Sequence, residues 1–290
     1  MHTIEIESKN KRIEIPSCWG ECQPADVFFI LENAFKVVDG TMSIALFRIK
    51  IFQHFTGLKF GLSYQIRHLL KLNKKVNTVI YQLSQQLCDW IFEAQDDHYN
   101  LTFDSTVNYF PIIGKAAGPA DLLSDLTFGE FQESLNLMNA YFDNYSEPIV
   151  ADECLIEFIA MIYRTLDKGK RVPLTDYTAD EKLFRKIPRW KMRSIMIWFT
   201  NCINAIKSED LTINGLDVNF SCIFPEGDQN GNKKRKGLDL GWTGVLIDIA
   251  ESGVFGPAPR VNETPLYDIL FFLMKRQDEY QRQLEASQKK

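Results

Sequence analysis

The sequence of 290 residues predicts a mainly α-helical protein, with a multi-helix bundle-like architecture and a minor β component. Three observations predict this fold class. Apolar residues recur at three- and four-residue steps through most of the chain, as they do on one face of a helix. Helix start signals precede several of these segments. The helical period is missing near residues 1–15 and 98–113, where we expect short strands or a small hairpin.

The N-terminal part is expected to begin with a strand and continue with helices. The first 15 residues alternate in hydropathy, and Pro16 ends the pairing because proline donates no ladder hydrogen bond. A helix is expected from Pro24, a favourable first-turn residue, to Gly40. Thr41 can cap the next helix, and a longer helical pattern runs from Val76 to Ala94. This part of the chain is therefore predicted to be helical with one edge of β structure.

The helical period is lost over residues 98–113. Tyr99–Phe103 and Val107–Ile113 look like two short extended pieces, and we expect them to form a small hairpin around Asp104 and Ser105.

Small residues from Gly114 to Pro119 form the strongest candidate linker in the chain. This linker predicts an N-terminal helical domain over residues 1–114 and a C-terminal helical domain over residues 115–290. The alternative, left open by the sequence, is one continuous domain.

The C-terminal part carries clearer helix signals. Thr127 and Glu130 fit a capping box, in which side chains satisfy the first backbone N–H groups of a helix. The helix that follows is expected to carry the apolar residues Phe131, Leu135, Leu137, Met138 and Phe142. Further helices are predicted over Asp152–Leu166, Arg189–Ile206 and Trp242–Glu251, and after Thr264-Pro265. The last of these is apolar first and polar from Gln277, so its end should project.

Composition and motifs exclude several classes of protein. No apolar run reaches the roughly 18–20 residues that cross a bilayer, and the N-terminus lacks the order of a signal peptide, so we expect a cytoplasmic protein. Cys18 and Cys22 have no second Cys or His pair at ligand spacing, so we expect no metal site. No phosphate-binding loop, nucleophile elbow or zinc-protease motif is present. We therefore expect no enzymatic activity, no catalytic residues and no cofactor.

Charge is strongly segregated along the chain. Residues 116–163 contain nine acidic residues and no basic ones, whereas residues 164–207 contain eleven basic and four acidic residues. One interpretation is internal complementarity, in which the basic block docks beside the acidic block. The other is that one face stays charged for a partner.

Candidate partner-binding residues in the basic block surround one tryptophan. They are Lys182, Arg185, Arg189, Trp190 and Arg193. A basic and aromatic patch can contact nucleic acid phosphates. The net charge of −5 and the absence of a recognition motif disfavour nucleic acid and favour a protein as the partner.

Three stretches of the chain carry a resemblance to known proteins. They are Ile15-Pro16-Ser17-Cys18-Trp19, then Gly118–Asp121 through Leu126–Phe131 with Leu155–Arg164, then Gly241-Trp242 through Ala250–Gly256 ending at Tyr267–Leu270. In this order they resemble proteins encoded in the tail-morphogenesis region of tailed bacteriophages and prophages.

The resemblance implies a helical, non-enzymatic protein in the cytoplasm of the bacterial host. Such a protein is similar to the tail assembly chaperones, which shield the tape-measure protein before the tail tube polymerises. The resemblance supplies no catalytic residues. Two alternatives remain open: a virion structural connector or tail-completion protein, and a DNA-associated accessory protein.

Overall fold

The computed structural model describes residues 1–6, 11–58, 73–96, 98–172, 181–213, 215–224 and 241–288. The chain forms two units, Met1–Ser105 and Thr106–Lys290. Most of the described residues are helical and the strands are short antiparallel pairs, which confirms the predicted fold class. Among the described helices, none combines the length and hydropathy that a membrane span requires.

The described residues of the first unit form two small hairpins and three helices. Its elements are β1 (His2–Ile6), β2 (Lys11–Ile15), α1 (Pro24–Val38), α2 (Ile44–Thr56), α3 (Lys74–Cys88), β3 (Phe92–Gln95) and β4 (His98–Leu101). The indole of Trp19 packs edge-on against Trp90 and Phe103, with ring centroids 5.2 and 4.9 Å apart. This aromatic cluster lies in the core of the unit, because Trp19 is almost fully buried.

Two predictions for the first unit are corrected. The cap of α2 is Ser43, whose side chain accepts a hydrogen bond from the Leu46 N–H, while the Thr41 hydroxyl donates to the Lys36 carbonyl at the end of α1. The helix predicted to reach Ala94 ends at Cys88.

The predicted hairpin lies earlier in the chain than residues 104–105. β3 pairs with β4 in antiparallel register, Phe92 opposite Leu101. Thr102 fixes this arrangement, because its N–H donates to the Ile91 carbonyl and its hydroxyl donates to the Trp90 carbonyl at 2.7 Å. Those carbonyls are therefore occupied by the returning strand and cannot continue the helix.

The second unit contains six helices among its described residues and two small sheets. Its helices are α4 (Phe128–Asp143), α5 (Pro148–Ile162), α6 (Arg189–Ser208), α7 (Gly241–Ser252), α8 (Ala258–Asn262) and α9 (Leu266–Gln288). Its strands are β5 (Ile112–Ile113), β6 (Ala116–Ala117), β7 (Arg164–Asp167), β8 (Lys170–Arg171), β9 (Leu211–Ile213) and β10 (Leu216–Val218). The sheet order is β5-β6-β7-β8, and β9 pairs with β10.

Residues 106–114 pack within the second unit. The Asn108 N–H donates to the Asp121 carboxylate at 2.7 Å, and the hydroxyl of the buried Tyr163 donates to the Phe110 carbonyl at 2.6 Å. The predicted linker after this segment contributes β6, which pairs with β7.

The helix predicted over Asp152–Leu166 is displaced toward the N-terminus. It begins at Pro148 and ends at Ile162, and the chain continues as β7, in which Thr165 lies opposite Ala116. Strand pairing therefore overrides the helical period of the last few residues.

The capping box before α4 is confirmed. The Thr127 hydroxyl accepts from the Glu130 N–H at 3.3 Å, and the Glu130 carboxylate accepts from the Thr127 N–H at 3.0 Å. The core of the unit is centred on α6, whose Phe199 ring packs against Phe131 and Phe158. Helices α4 and α6 consequently lie side by side, which sets up the groove described below.

Candidate partner-binding groove

The predicted basic residues are distributed between the surface and the interior of the second unit. Lys182 is exposed. Arg185 donates to both oxygens of Glu153 at 2.7 Å and to Glu181 at 2.6 Å. The Arg185 guanidinium holds the pKa of the Glu153 carboxyl below its usual range.

The other three predicted residues lie on the first turns of α6. Arg189 forms an ion pair with Asp152 at 2.8 Å, Trp190 is half-buried against the Phe110 ring, and Arg193 is buried. The five residues therefore do not share one exposed surface.

A buried cluster of ion pairs also links the acidic block to the basic block. Glu130 is 0% exposed, and its two carboxylate oxygens accept from the Arg171 Nη2 and Nη1 at 2.9 and 3.1 Å. The Arg171 Nε donates to the Ile162 carbonyl at the end of α5, and the Arg164 Nε lies 3.7 Å from the same carboxylate. Together with the pairs of Arg185 and Arg189, this cluster confirms internal complementarity between the two blocks.

A groove of about 600 Å³ runs between α4 and α6. Its apolar wall on α4 consists of Phe131, Leu135 and Met138, and Phe142 continues the same stripe at the end of the helix. These four residues follow the i, i+4, i+7, i+11 spacing that places side chains on one helical face. The stripe runs from the buried Phe131 through the partly exposed Leu135 and Met138 to Phe142, which is 56% exposed.

Helix α6 supplies the opposite wall, and α7 closes one end. Thr200 and Ile203 line the groove from α6, and Trp242 lines it at the start of α7. The Trp242 ring packs edge-on against Phe128 and Phe131, with ring centroids 5.9 and 5.3 Å apart. This aromatic cluster fixes the closed end of the groove.

The groove has an amide rim, formed by Gln132, Asn136 and Asn139 on α4 and Asn204 on α6. The Gln132 amide donates to the Thr243 hydroxyl at 3.2 Å, whereas Asn136, Asn139 and Asn204 are exposed. The groove is therefore open to solvent along this rim.

Among the described residues that line the groove, Lys207 is the one that carries a charge. Its ammonium group lies 5.9 Å from the centroid of the Phe224 ring. The walls that the structure describes between Trp242 and Phe142 are thus apolar and amide-bearing, and Lys207 is their one cation.

The groove was not predicted from the sequence, although its wall was. The sequence predicts the apolar residues on α4, but their spacing does not reveal how far the stripe is covered. The exposed amides of Asn136, Asn139 and Asn204 carry no motif. No signal in the sequence singles out these amides.

Metal and thiol chemistry has little support in the described part of the chain. No group of three His, Cys, Asp or Glu side chains among those residues could hold a metal ion. All six cysteines are free, and burial raises the pKa of the Cys22, Cys88 and Cys202 thiols to about 12. These three thiols therefore stay protonated and unreactive near neutral pH.

No protein-family model, curated protein or solved structure matches this chain.

Proposed function

We propose that this protein is a non-enzymatic assembly chaperone that binds a helical protein partner, the tape-measure protein of a phage or prophage tail, in the groove between α4 and α6. The observation that carries the proposal is the partly covered apolar stripe of α4, which ends in the exposed Phe142.

The shape of the groove suits a helix. The stripe from Phe131 to Phe142 extends over about 17 Å, since a helix rises roughly 1.5 Å per residue. Three turns of a partner helix cover that length, with anchors at i, i+3 or i+4, and i+7. A helix laid between α4 and α6 would complete the packing that their exposed faces lack.

The chemistry of the rim supports a reversible contact. The exposed amides of Asn136, Asn139 and Asn204 can exchange hydrogen bonds between water and a partner, so the free groove remains hydrated. Of the described lining residues only Lys207 is charged, so the described walls of the groove are mostly apolar and neutral. A chaperone needs this combination, because it must release its partner when the partner assembles elsewhere.

The resemblance to tail-region proteins is the reason for proposing a tape-measure protein as the partner. A tape-measure protein is largely a long helix, and its apolar positions need a cover until the tail tube surrounds it. A groove of helical dimensions with an amide rim is the kind of site that would supply such a cover.

Co-expression of the full chain with the tape-measure protein of the same genome tests the proposal. We expect the two to co-purify at low salt. The variant Asn139→Arg/Asn204→Arg places two large cations at exposed positions of the groove rim, so it should fold normally and retain at most about a tenth of the partner.

The matched control is Gln283→Arg/Gln288→Arg, which adds the same two side chains on the exposed end of α9. It should retain the tape-measure protein as the unmodified chain does. Failure of the unmodified chain to bind would contradict the proposed function. Equal binding by the groove variant and the control would place the partner elsewhere on the surface.

Mass spectrometry of purified particles distinguishes a chaperone from a structural component. A chaperone leaves before the tail is complete, so we expect no peptides of this chain in finished virions. Stoichiometric amounts of the chain in particles would favour the connector or tail-completion alternative.

A further inference from the structure

The open end of the groove leads onto the turn between α4 and α5, and this turn is unusually apolar for an exposed segment. Residues 142–150 are all exposed except Asn144. They include Phe142, Tyr145 and Ile149, which are 56%, 53% and 80% exposed. Because Phe142 belongs both to the stripe of α4 and to this turn, the apolar surface is continuous from the groove to the turn.

The turn also carries acidic residues that take no part in the ion pairs among the described residues. In the acidic block, Glu130, Asp152 and Glu153 are ion-paired with arginines. Asp121 and Asp125 accept hydrogen bonds from backbone N–H groups. The remaining acids are Glu133, Asp143, Glu147 and Glu157.

Two of these four acids, Asp143 and Glu147, lie at the turn. Both are exposed, and neither forms an ion pair with any residue that the structure describes. The turn is therefore an apolar surface with two uncompensated negative charges.

We propose that the partner helix lies in the groove in one direction, with a basic N-terminal end over the turn between α4 and α5. This inference rests on the proposed function and specifies the charge pattern of the partner. Basic side chains at that end pair with Asp143 and Glu147, while apolar ones contact Phe142 and Ile149.

The direction of the partner follows from its own dipole. The N-terminus of a helix carries a partial positive charge, which adds to the basic side chains beside the two carboxylates. The opposite direction would place the negative C-terminal end there. The partner consequently runs from the turn toward Trp242, antiparallel to α4.

Labelled synthetic peptides test the inference on the full-length protein. Each peptide has about 14 residues, or roughly 21 Å of helix, with leucines at i, i+4, i+7 and i+11 and alanine or glutamine elsewhere. The peptides differ only in two adjacent residues, which are Lys-Lys or Glu-Glu at the N-terminal end, or Lys-Lys at the C-terminal end. Affinity is measured by fluorescence anisotropy at low salt and at about 0.5 M salt, where charge screening is strong.

We expect the peptide with N-terminal lysines to bind about fivefold more tightly than the one with N-terminal glutamates at low salt, as for two solvent-exposed ion pairs. The advantage should shrink at high salt. The variant Asp143→Lys/Glu147→Lys should reverse the order of affinity. The control Glu279→Lys/Glu285→Lys makes the same change in net charge on α9 and should leave the order unchanged.

Equal affinities for the lysine and glutamate peptides would overturn the inference, as would an unchanged order in the Asp143→Lys/Glu147→Lys variant. Tighter binding of the peptide with C-terminal lysines would overturn the direction. In the co-purification assay, the charge-reversal variant should retain several-fold less tape-measure protein than its control. Equal retention there contradicts this inference alone, whereas loss of binding by the unmodified chain contradicts the proposed function.

Discussion

The two ends of α4 carry the same residue types in opposite environments. Near its start, Glu130 and Phe131 are adjacent and buried, at 0% and 2% exposure. At its end, Phe142 and Asp143 are adjacent and exposed. An acid beside a phenylalanine therefore has a structural role at one end of the helix and is free to meet a partner at the other.

The difference arises from what lies opposite each end. At the start of α4, Arg164 from β7 and Arg171 from β8 neutralise the carboxylate of Glu130, which allows it to be buried. At the end of α4 no such strand arrives among the described residues, so the carboxylate of Asp143 stays in water. The comparison predicts large effects of substitution at the first end and small effects at the second.

Glu130→Gln should give the largest loss of stability. The substitution removes the negative charge that compensates the nearly buried guanidinium of Arg171, and breaking a buried pair on one side costs about 3–5 kcal/mol. Urea unfolding followed by circular dichroism measures the change in the free energy of unfolding.

Two further variants test whether the unpaired charge causes the loss of stability in Glu130→Gln. Glu133→Gln lies one turn away on a partly exposed position and should change stability by no more than about 0.5 kcal/mol. The double variant Glu130→Met/Arg171→Met should recover part of the loss, because it removes the unpaired guanidinium but also removes the carboxylate that accepts from the Thr127 N–H. A double variant as unstable as Glu130→Gln would refute the role of the unpaired charge.

The two phenylalanines of the same stripe should also respond differently. Phe131→Ala should destabilise the fold by about 3–5 kcal/mol, because its buried ring packs against Phe199 and Trp242. Phe142→Ala should cost no more than about 0.5 kcal/mol. Thermal and urea unfolding of both variants measure the contrast, and similar losses would show that Phe142 is covered in solution.

The sequence predicted the elements of this region better than their surroundings. The capping box at Thr127 and the apolar face of α4 follow from local spacing, and both are present. Local spacing also produced the error after Ile162, where apolar residues continue but the chain pairs with β6 as strand β7. Pairing between distant segments decides that point, and a helical period contains no information about it.

The candidate site shows the same limit of prediction from local sequence patterns. The sequence selected Lys182, Arg185, Arg189, Trp190 and Arg193 because their charges are dense. Ion pairs with Glu153 and Asp152 engage two of the arginines, and these carboxylates lie on another helix. The groove depends on how deeply α4 and α6 pack, and its exposed asparagines are common surface residues. Neither property can be derived from composition or spacing.

Gly118→Ala tests how tightly the chain packs just before the buried end of α4. A Cβ on Gly118 would lie 2.7 Å from Cζ of the buried Tyr163 ring, which is held by its hydrogen bond to the Phe110 carbonyl. The ring cannot move aside without losing that bond, so we expect a loss of about 1–3 kcal/mol in the free energy of unfolding. Gly20→Ala is the control, since a Cβ there meets nothing within 4 Å. Equal effects of the two substitutions would contradict this account of the packing.

Substitutions of two acids on α5, Glu157 and Glu153, should give the smallest changes in stability. The two changes should have opposite signs at neutral pH. Desolvation and then the neighbouring Glu181, Glu153 and Glu133 raise the pKa of the Glu157 carboxyl above its ordinary value of 4.5. The folded state therefore disfavours the charged form of Glu157, and the resulting penalty is present at neutral pH but absent once the carboxyl is protonated in both states.

Glu157→Gln should accordingly stabilise the protein at pH 7, by no more than about 0.5 kcal/mol because the side chain is partly exposed. The gain should disappear as the pH falls below 4.5. Glu153→Gln should have the opposite sign, because Arg185 lowers the pKa of Glu153 and its charged form stabilises the folded state at neutral pH. That stabilisation is lost as the pH falls, so the two variants should converge in acid. Urea unfolding at several pH values measures both, and a destabilising Glu157→Gln at pH 7 would show that the carboxylate has a favourable partner.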